Sequence, residues 1–298
     1  MKAGIYLPQF GLQATKENIT QLATMAEQEQ FDSLWVGERL LWPINPQTPY
    51  PGSPDGNLST ALQNVLDPLE TLTFVAAKTD KIALGTCVID MLFHNPVILG
   101  KQFATLDVLS QGRCICGLGI GWSKDEYQAS NVPFENRGAR ADEFIQALTG
   151  IWTEDVVEFK GRYYNIPASK IGPKPFQKPR IPIYLGGFTQ KTFSRIAKYA
   201  DGWLPTASGS LDYITNGIKT LKEKDKHHLE IITSVFPEVK ESGKKRAQGS
   251  LFSGTIDDIG SDLGRLQDMG INHVIFGLMD PDLDQVVDTA KQLSKFIR

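Results

Sequence analysis

Apolar strand-like runs alternate with helix-like segments along the chain, and this alternation limits the possible folds more than any other sequence feature. A strand followed by a helix, repeated eight times in 298 residues, predicts a parallel sheet closed into a (β/α)8 TIM barrel. An open doubly wound sheet is the alternative, but the sequence lacks the dinucleotide fingerprint G-x-G-x-x-G. The predicted strands are residues 2–8, 31–37, 81–89, 113–121, 181–187, 201–205, 228–236 and 273–278. The predicted helices are about 16–30, 67–79, 95–109, 138–152, 189–199, 211–225, 255–269 and 282–297.

Three longer segments interrupt the alternation, and we interpret them as insertions into one domain that spans residues 1–298. The first, about 40–66, contains five prolines and many turn residues. Long loops of this kind in a compact domain are usually functional. The second, about 154–180, begins with a pair of short strands, and the third, about 237–253, is charged and predicted to be a surface loop.

Composition excludes several classes of protein. The net charge is −3 and the sequence pI is about 5.9, which argues against nucleic-acid binding. No apolar run reaches the length of a membrane span, and the N-terminus lacks the apolar region of a signal peptide, so we expect a cytoplasmic protein. The three cysteines have neither disulfide nor zinc spacing, and no metal motif is present.

A glycine-rich stretch forms the fourth predicted strand and is the most unusual local pattern. Gly117, Gly119 and Gly121 alternate, and Trp122 follows them directly. Alternating glycines remove the side chains from one face of a strand end, so that a flat ring or a phosphate can approach the backbone. Close packing against a neighbouring element explains the same pattern equally well.

The barrel prediction also says where a site would be, because active sites of such barrels lie at the C-terminal ends of the strands. Polar, aromatic or glycine residues stand at four of these ends. The candidates are Glu38 and Arg39 after strand two, Cys87, Val88 and Asp90 in strand three, Gly119, Gly121 and Trp122 after strand four, and Gly186, Gly187 and Thr189 after strand five.

Each candidate has two interpretations at this stage. Glu38 and Arg39 could line the cavity or form a salt bridge at its rim. Gly186 and Gly187 precede a helix N-terminus, which suits a phosphate or another anion of a cofactor, whereas Thr189 could simply cap that helix.

The residues that could act as nucleophile or base are few. Cys87 has no histidine partner in the sequence, so it is interpreted as a strand residue that faces a ligand. His94 precedes Asn95-Pro96 and could be catalytic or could cap the helix. His227, His228 and His273 stand at strand starts, the opposite end of a barrel from its site. The lack of a catalytic triad or a metal motif favours a cofactor that carries the chemistry.

Together these segments resemble the bacterial-luciferase-like monooxygenase superfamily, and within it the probable F420-dependent oxidoreductases. The resemblance covers nearly the whole chain in order. Its segments are residues 33–40, 67–69, 84–88, 95–110, 117–127, 137–143, 178–187 and 200–205.

The resemblance implies a flavin or deazaflavin lying across the strand ends. Glu38 would contact this cofactor, and Cys87–Val88 matches a position where the superfamily often has a cis peptide bond behind the ring. The backbone at Gly119, Gly121, Gly186 and Gly187 would contact the cofactor and its phosphate. Trp35, Trp122 and Trp203 would lie near the ring.

Two departures limit what can be transferred. Related sugar-phosphate dehydrogenases carry a catalytic histidine after the acidic residue and a glutamate after the glycine strand, where this chain has Arg39 and Trp122. Their acid–base mechanism therefore does not carry over. Arg39 is expected to orient an anionic or carbonyl group, and Trp122 to shape the pocket.

Three hypotheses follow from the resemblance. The first is F420-dependent hydride transfer to or from a small organic substrate. The second is an FMN-dependent monooxygenase that uses O2 and is supplied by a separate flavin reductase. The third is a flavin-binding protein without catalysis. A homodimer is expected by analogy with the family, and the sequence does not identify the substrate.

Overall fold

Strands and helices alternate as predicted in the computed structural model, which describes residues 1–53, 55–207, 211–224, 229–240, 250–278 and 282–296. The strands are β1 (Lys2–Tyr6), β2 (Ser33–Val36), β3 (Ala83–Thr86), β4 (Ile89–Asp90), β5 (Cys114–Gly119), β6 (Val157–Lys160), β7 (Asn165–Ser169), β8 (Ile183–Gly186), β9 (Gly202–Leu204), β10 (Thr206–Ala207), β11 (Glu230–Val235), β12 (Glu238–Val239), β13 (Ser253–Gly254) and β14 (His273–Phe276). The helices are α1 (Lys16–Gln28), α2 (Pro68–Ala76), α3 (Pro96–Leu109), α4 (Lys124–Ala129), α5 (Arg137–Thr153), α6 (Gln190–Tyr199), α7 (Asp212–Glu223), α8 (Ile256–Asp268) and α9 (Leu283–Ser294).

The main sheet closes on itself. Its strands pair in the order β10, β11, β14, β1, β2, β3, β5, β8 and β9, and β9 pairs with β11 to complete the ring. Every one of these pairings is parallel. Closure leaves no exposed edge on the ring, as a barrel requires. The predicted (β/α)8 barrel is confirmed, and the open-sheet alternative is wrong.

The structure differs from the predicted elements in three places. The third strand is not continuous over 81–89 but divides into β3 and β4, with Cys87 and Val88 between them. The segment before the fourth predicted helix, predicted to be a loop, contains the end of the short helix α4. In the third insertion, β12 pairs with β13, while residues 241–249, like His227 and His228, lie outside the described residues.

Local sequence explains where two site-forming helices begin. Asp67 caps α2 by accepting hydrogen bonds from the amides of Leu69 and Glu70, and Pro68 occupies the first helical position. Asn95 caps α3 in the same way, followed by Pro96. Asparagine or aspartate before proline satisfies free amides and fixes the first helical dihedral. Among the described residues, no helix is long and apolar enough to cross a membrane.

The Trp35 side chain fills the barrel interior, and the strands on either side of it carry glycines that make room for its ring. Its side chain is fully buried, and it packs with Tyr184, Leu204, Ile232 and Ile275. A Cβ atom on Gly4 of β1 would lie 2.5 Å from the indole nitrogen, and one on Gly85 of β3 would lie 2.5 Å from the ring. Trp35 and Gly85 are register partners, so the missing side chain makes room for the ring.

A polar network closes the N-terminal end of the barrel beneath Trp35. The Trp35 indole donates to Ser33 Oγ at 2.7 Å, and Ser33 Oγ lies 2.8 Å from His273 Nε2. Tyr184 donates its hydroxyl to Glu230. The interaction with His273, whose Nδ1 lies 3.8 Å from Glu230 Oε1, comes first among the causes that hold the pKa of Glu230 at about 2, and the hydrogen bond from Tyr184 acts in the same direction. His273 thus belongs to the end of the barrel that the sequence predicted.

We expect Glu230→Gln to make the free energy of unfolding less dependent on pH in the acidic range. Because the native pKa of Glu230 is about 2 and its ordinary value is 4.5, its contribution is complete above pH 4.5 and is lost as the pH falls toward 2. Since the side chain is partly exposed, a deficit of roughly 1–2 kcal/mol at pH 7 is expected. Urea unfolding at pH 7, 5 and 3.5 measures it. A deficit that stays the same at all three pH values would contradict this account.

Candidate active site

Glu38 is held at the C-terminal end of the barrel by the strand beside it. Its Oε2 accepts the amide of Asp90 at 2.8 Å, and its Oε1 lies 2.7 Å from His94 Nε2. The Glu38 side chain is only 3% exposed. Burial lowers the pKa of His94, but the hydrogen bond and charge of Glu38 outweigh it, and the pKa is raised. The capping alternative for His94 is wrong, because Asn95 caps α3.

Arg39 points away from Glu38 and forms a buried ion pair with Glu126 of α4. Its Nε donates to Glu126 Oε1 at 2.7 Å, and its Nη2 also contacts that carboxylate. The two side chains are 7% and 1% exposed. Arg39 is therefore in a salt bridge, as the second interpretation allowed, but its partner is Glu126 and not Glu38. Two nitrogens of Arg39 contact Glu126, whereas this guanidinium was predicted to orient a substrate.

Trp122 forms a wall of the site together with the first insertion. The Arg39 guanidinium carbon lies 5.1 Å from the Trp122 ring centroid, and the ring of Tyr50 lies 5.4 Å away on the insertion. The insertion also contacts α4, since the Gln47 amide donates to Asp125 at 3.0 Å. The segment at 40–66 thus packs over the glycine strand end, consistent with a functional loop.

Asp90 ends β4 and turns its carboxyl toward the end of β5. Its Oδ1 accepts the amide of Gly121 at 2.9 Å. Burial, followed by the nearby charge of Glu38, raises the pKa of Asp90 to about 7, against the opposing effects of Arg39, the Gly121 amide and His94. This carboxyl titrates in the range where general acid–base groups work.

The alternating glycines are required by packing within the barrel. A Cβ atom on Gly119 would lie 2.5 Å from Asp90 Oδ1 and 2.7 Å from Val88 Cγ2. Gly121 has φ +72°, and a Cβ there would lie 2.8 Å from the Phe93 ring. The packing interpretation thus accounts for the absence of side chains, and backbone contact of Gly119 and Gly121 with a cofactor stays a prediction.

Cys87 and Val88 form the floor of the site between β3 and β4. Their peptide bond is cis, in agreement with what the resemblance implied. The Cys87 thiol lies 3.6 Å from Ser234 Oγ, and the Tyr6 hydroxyl lies 3.0 Å from the same oxygen. Burial raises the pKa of the Cys87 thiol, so it remains protonated at neutral pH, consistent with a residue that is not a nucleophile.

The loop after β8 is open and ends in a capped helix. Thr189 Oγ1 accepts the Thr192 amide at 3.1 Å, so its capping role is confirmed. Gly187 has φ +106° and offers its carbonyl to the Trp203 indole at 2.8 Å. Phe188 is 68% exposed. Anion binding at the first amides of α6 stays a prediction.

The structure brings most of the predicted residues to one end of the barrel, and the three tryptophans differ in exposure there. Trp35 lies in the barrel interior and Trp203 packs against Phe193 of α6, with ring centroids 5.2 Å apart. Both are fully buried, so of the three tryptophans only Trp122 is partly open at the strand ends.

Sequence reasoning missed several residues of the site. Glu126 was missed because α4 was not predicted, although it lies four residues after Trp122. Tyr6 could have been found, because it is the last residue of β1. Trp42 gave no signal at all, yet its indole nitrogen is buried and has no hydrogen-bond partner among the residues that the structure describes.

Comparison with known sequences gives relatives over most of the chain. An uncharacterized protein of Mycobacterium tuberculosis is 31% identical over 294 residues, which cover 92% of this chain and 91% of the relative. An F420-dependent glucose-6-phosphate dehydrogenase of Amycolatopsis mediterranei is 31% identical over 207 residues, which cover 67% of this chain and 56% of that enzyme.

Comparison with solved structures shows the same fold. A monooxygenase from Streptomyces bottropensis superposes with a TM-score of 0.81 at 19% identity, covering 100% of this chain and 98% of that one. An F420-dependent secondary alcohol dehydrogenase, solved with an F420–acetone adduct, gives a TM-score of 0.80 at 18% identity, with coverage of 100% and 99%.

The family assignment follows from a match to a known sequence pattern. The pattern described as luciferase-like monooxygenase matches residues 1–247. Enzymes of this family are F420- or FMN-dependent oxidoreductases and monooxygenases. With its closed barrel and its site at the strand ends, the chain belongs to the luciferase-like monooxygenase family.

Proposed function

We propose that the protein is an F420-dependent oxidoreductase that transfers a hydride to or from a small organic substrate. The observation that carries the proposal is the set of groups at the strand ends. Glu38 is paired with His94, Arg39 is neutralised by Glu126, and the Cys87 thiol is protonated. None of these three arrangements supplies a nucleophile, so a bound cofactor would supply the redox chemistry.

The described residues fit a planar cofactor. Val88 stands at the centre of the site, because Cβ atoms on Gly119 and Gly186 would lie 2.7 Å and 3.4 Å from its two methyl groups. An apolar side chain between two glycines makes a flat platform for a ring. Trp42, three residues after Arg39, has a buried indole nitrogen without a partner among the described residues, and we infer that this donor faces the cofactor. Such a donor gains free energy when a ligand oxygen reaches it.

The relatives favour F420 over FMN. The sequence relative named for a cofactor is an F420-dependent dehydrogenase at 31% identity, whereas the solved monooxygenase is 19% identical and supports only the fold. A bound deazaflavin would supply the hydride acceptor or donor. The glycine loop at 186–187 and the N-terminus of α6 would hold its phosphate. Trp122 would border the substrate.

A sugar phosphate fits this site less well than an uncharged substrate. The relative acts on glucose 6-phosphate according to its name, but here the arginine after Glu38 already has a buried carboxylate partner. A phosphate group would compete with Glu126 for Arg39, and separating that pair is costly. We therefore place the substrate among small organic molecules without a phosphate group.

Titration of the purified protein with F420 and with FMN tests the proposal. We expect F420 to bind with a Kd in the micromolar range and FMN to bind at least about tenfold more weakly. Cofactor fluorescence anisotropy is the primary measurement, and quenching of tryptophan emission is the second. Because Trp35 and Trp203 are enclosed, Trp122→Phe should reduce the quenching while anisotropy still reports binding.

Each other outcome has a defined meaning. Tighter binding of FMN would contradict the proposal and favour the FMN-dependent monooxygenase, with the search turning to its reductase. Binding of neither cofactor would contradict both. Glu158→Gln, which removes an exposed carboxylate on the β6–β7 hairpin, is the matched control for Glu38→Gln. Only Glu38→Gln is expected to weaken F420 binding.

A further inference from the structure

Asp90 has a carboxyl oxygen that the fold does not use. The residue ends β4 and precedes a short 3-10 turn, but its side chain does not cap that turn. One oxygen, Oδ1, accepts the Gly121 amide at 2.9 Å. The other, Oδ2, has no hydrogen-bond partner in the part of the chain that the structure describes. A carboxyl at a barrel strand end with a free oxygen is placed to meet a ligand.

The two carboxyls at this strand end have different surroundings. Glu38 accepts the Asp90 amide at 2.8 Å, and its other oxygen lies 2.7 Å from His94 Nε2, so both of its oxygens have partners. Asp90 accepts a single amide. When two neighbouring carboxyls differ in this way, the proton that they would compete for stays on the less stabilised one. In this pair that carboxyl is Asp90.

The charged and titratable groups around Asp90 are Glu38 and Arg39 at the end of β2, His94 before α3, and Glu126 and Tyr127 in α4. The positive charge of Arg39 is already balanced by Glu126. Burial and the charge of Glu38 prevail over Arg39 and His94, and the pKa of Asp90 is raised to about 7.

We propose that Asp90 is a catalytic acid–base residue that exchanges a proton, through Oδ2, with a hydroxyl or carbonyl oxygen of the substrate. The inference rests on the proposed hydride transfer and narrows its substrate to an alcohol or its carbonyl partner. In the oxidative direction, the C–H bond breaks and its hydride goes to the oxidised deazaflavin. The O–H bond breaks, its proton goes to the Asp90 carboxylate, and a C=O bond forms. In the reductive direction, protonated Asp90 returns the proton to the oxygen.

The first test needs neither cofactor nor substrate. The protein is labelled with aspartate carrying ¹³C at the side-chain carboxyl, and the carbon spectrum is followed from pH 4 to pH 9. We expect one resonance to titrate near neutral pH in the wild type and to be missing in Asp90→Asn. In Glu38→Gln the same resonance should titrate at lower pH, because the neighbouring charge is gone. A wild-type resonance of Asp90 that titrates near pH 4 would overturn the proposal.

The second test measures turnover of F420 with propan-2-ol, cyclohexanol and benzyl alcohol, and of reduced F420 with the matching carbonyl compounds. We expect Asp90→Asn to lower kcat by about 10²- to 10⁴-fold and to remove the ionisation near neutral pH from the rate profile. The F420 Kd should stay within about threefold of the wild-type value. Asp155→Asn, which changes a carboxylate that is 82% exposed, should leave the rates unchanged.

The outcomes separate this inference from the proposed function. If F420 binds and the wild type turns over, but Asp90→Asn keeps the wild-type rate and pH profile, Asp90 is not the acid–base residue and the function stands. If F420 binds but none of these alcohols or carbonyls reacts, the substrate class is wrong. If F420 does not bind, the proposed function itself fails.

Discussion

Alanine at Gly117 is expected to prevent the barrel from folding. A Cβ atom at this position would lie 1.8 Å from the backbone oxygen of Thr86 on the neighbouring strand. Thr86 cannot move aside, because its hydroxyl donates to the Gly117 carbonyl at 2.8 Å and accepts the Gly117 amide at 2.9 Å. We expect a loss above about 4 kcal/mol, measured as loss of soluble protein and of the cooperative thermal transition.

Gly264 is the matched control for this substitution. It lies in α8, and a Cβ there would meet no atom within 4 Å. Gly264→Ala should therefore be neutral or stabilising by up to about 1 kcal/mol, as expected for glycine in an exposed helix. A folded Gly117→Ala variant with near-native Tm would show that β3 and β5 can separate, and would contradict the packing explanation of the glycine strand.

Gly119 is expected to behave differently from Gly117. The atoms that its Cβ would meet belong to the side chains of Asp90 and Val88, not to the backbone. Side chains can rotate, so a substitution here is more readily accommodated than one at Gly117. The alternating glycines thus stand at three positions with different packing constraints. The sequence pattern alone does not distinguish these constraints.

The barrel could be predicted because its signal is repeated. Each strand carries an apolar run and each helix an apolar face, so that errors at single boundaries do not change the count of eight units. The division of the third strand could not be predicted from this signal. Cys87 and Val88 are as apolar as their neighbours, and only the pairing of β4 with Leu118 and Gly119 shows where the strand resumes.

The site could be predicted as a set of positions but not as a set of partners. Glu38 and His94 were both identified, yet 56 residues separate them, and nothing in either segment indicates that they form a pair. Arg39 was expected to be available to a substrate because its partner was not visible. Glu126 lies in α4, whose 6 residues are too few for a clear helical period. Interacting pairs that are distant in sequence can be identified only in the folded structure.

Glu126→Gln is expected to destabilise the protein by roughly 3–5 kcal/mol, because it leaves the charge of Arg39 buried without a counter-charge. The Arg39 side chain is 7% exposed, so water cannot replace the carboxylate without a change in structure. That change would reach Trp122, which lies under the guanidinium at 5.1 Å. Urea unfolding monitored by tryptophan fluorescence measures both effects at once, since the emission of the native state should also shift.

A double variant separates an unpaired charge from lost packing. Arg39→Met combined with Glu126→Leu replaces the ion pair with apolar side chains, and such replacements of buried pairs are often neutral or stabilising. Here the Leu40 amide, which donates to Glu126 Oε1 at 2.8 Å, would lose its acceptor, so recovery should be partial. We expect the double variant to be more stable than Glu126→Gln by at least about 1–2 kcal/mol. If it is less stable, the carboxylate supports the backbone at Leu40 more than it neutralises Arg39, and the unpaired-charge explanation is contradicted.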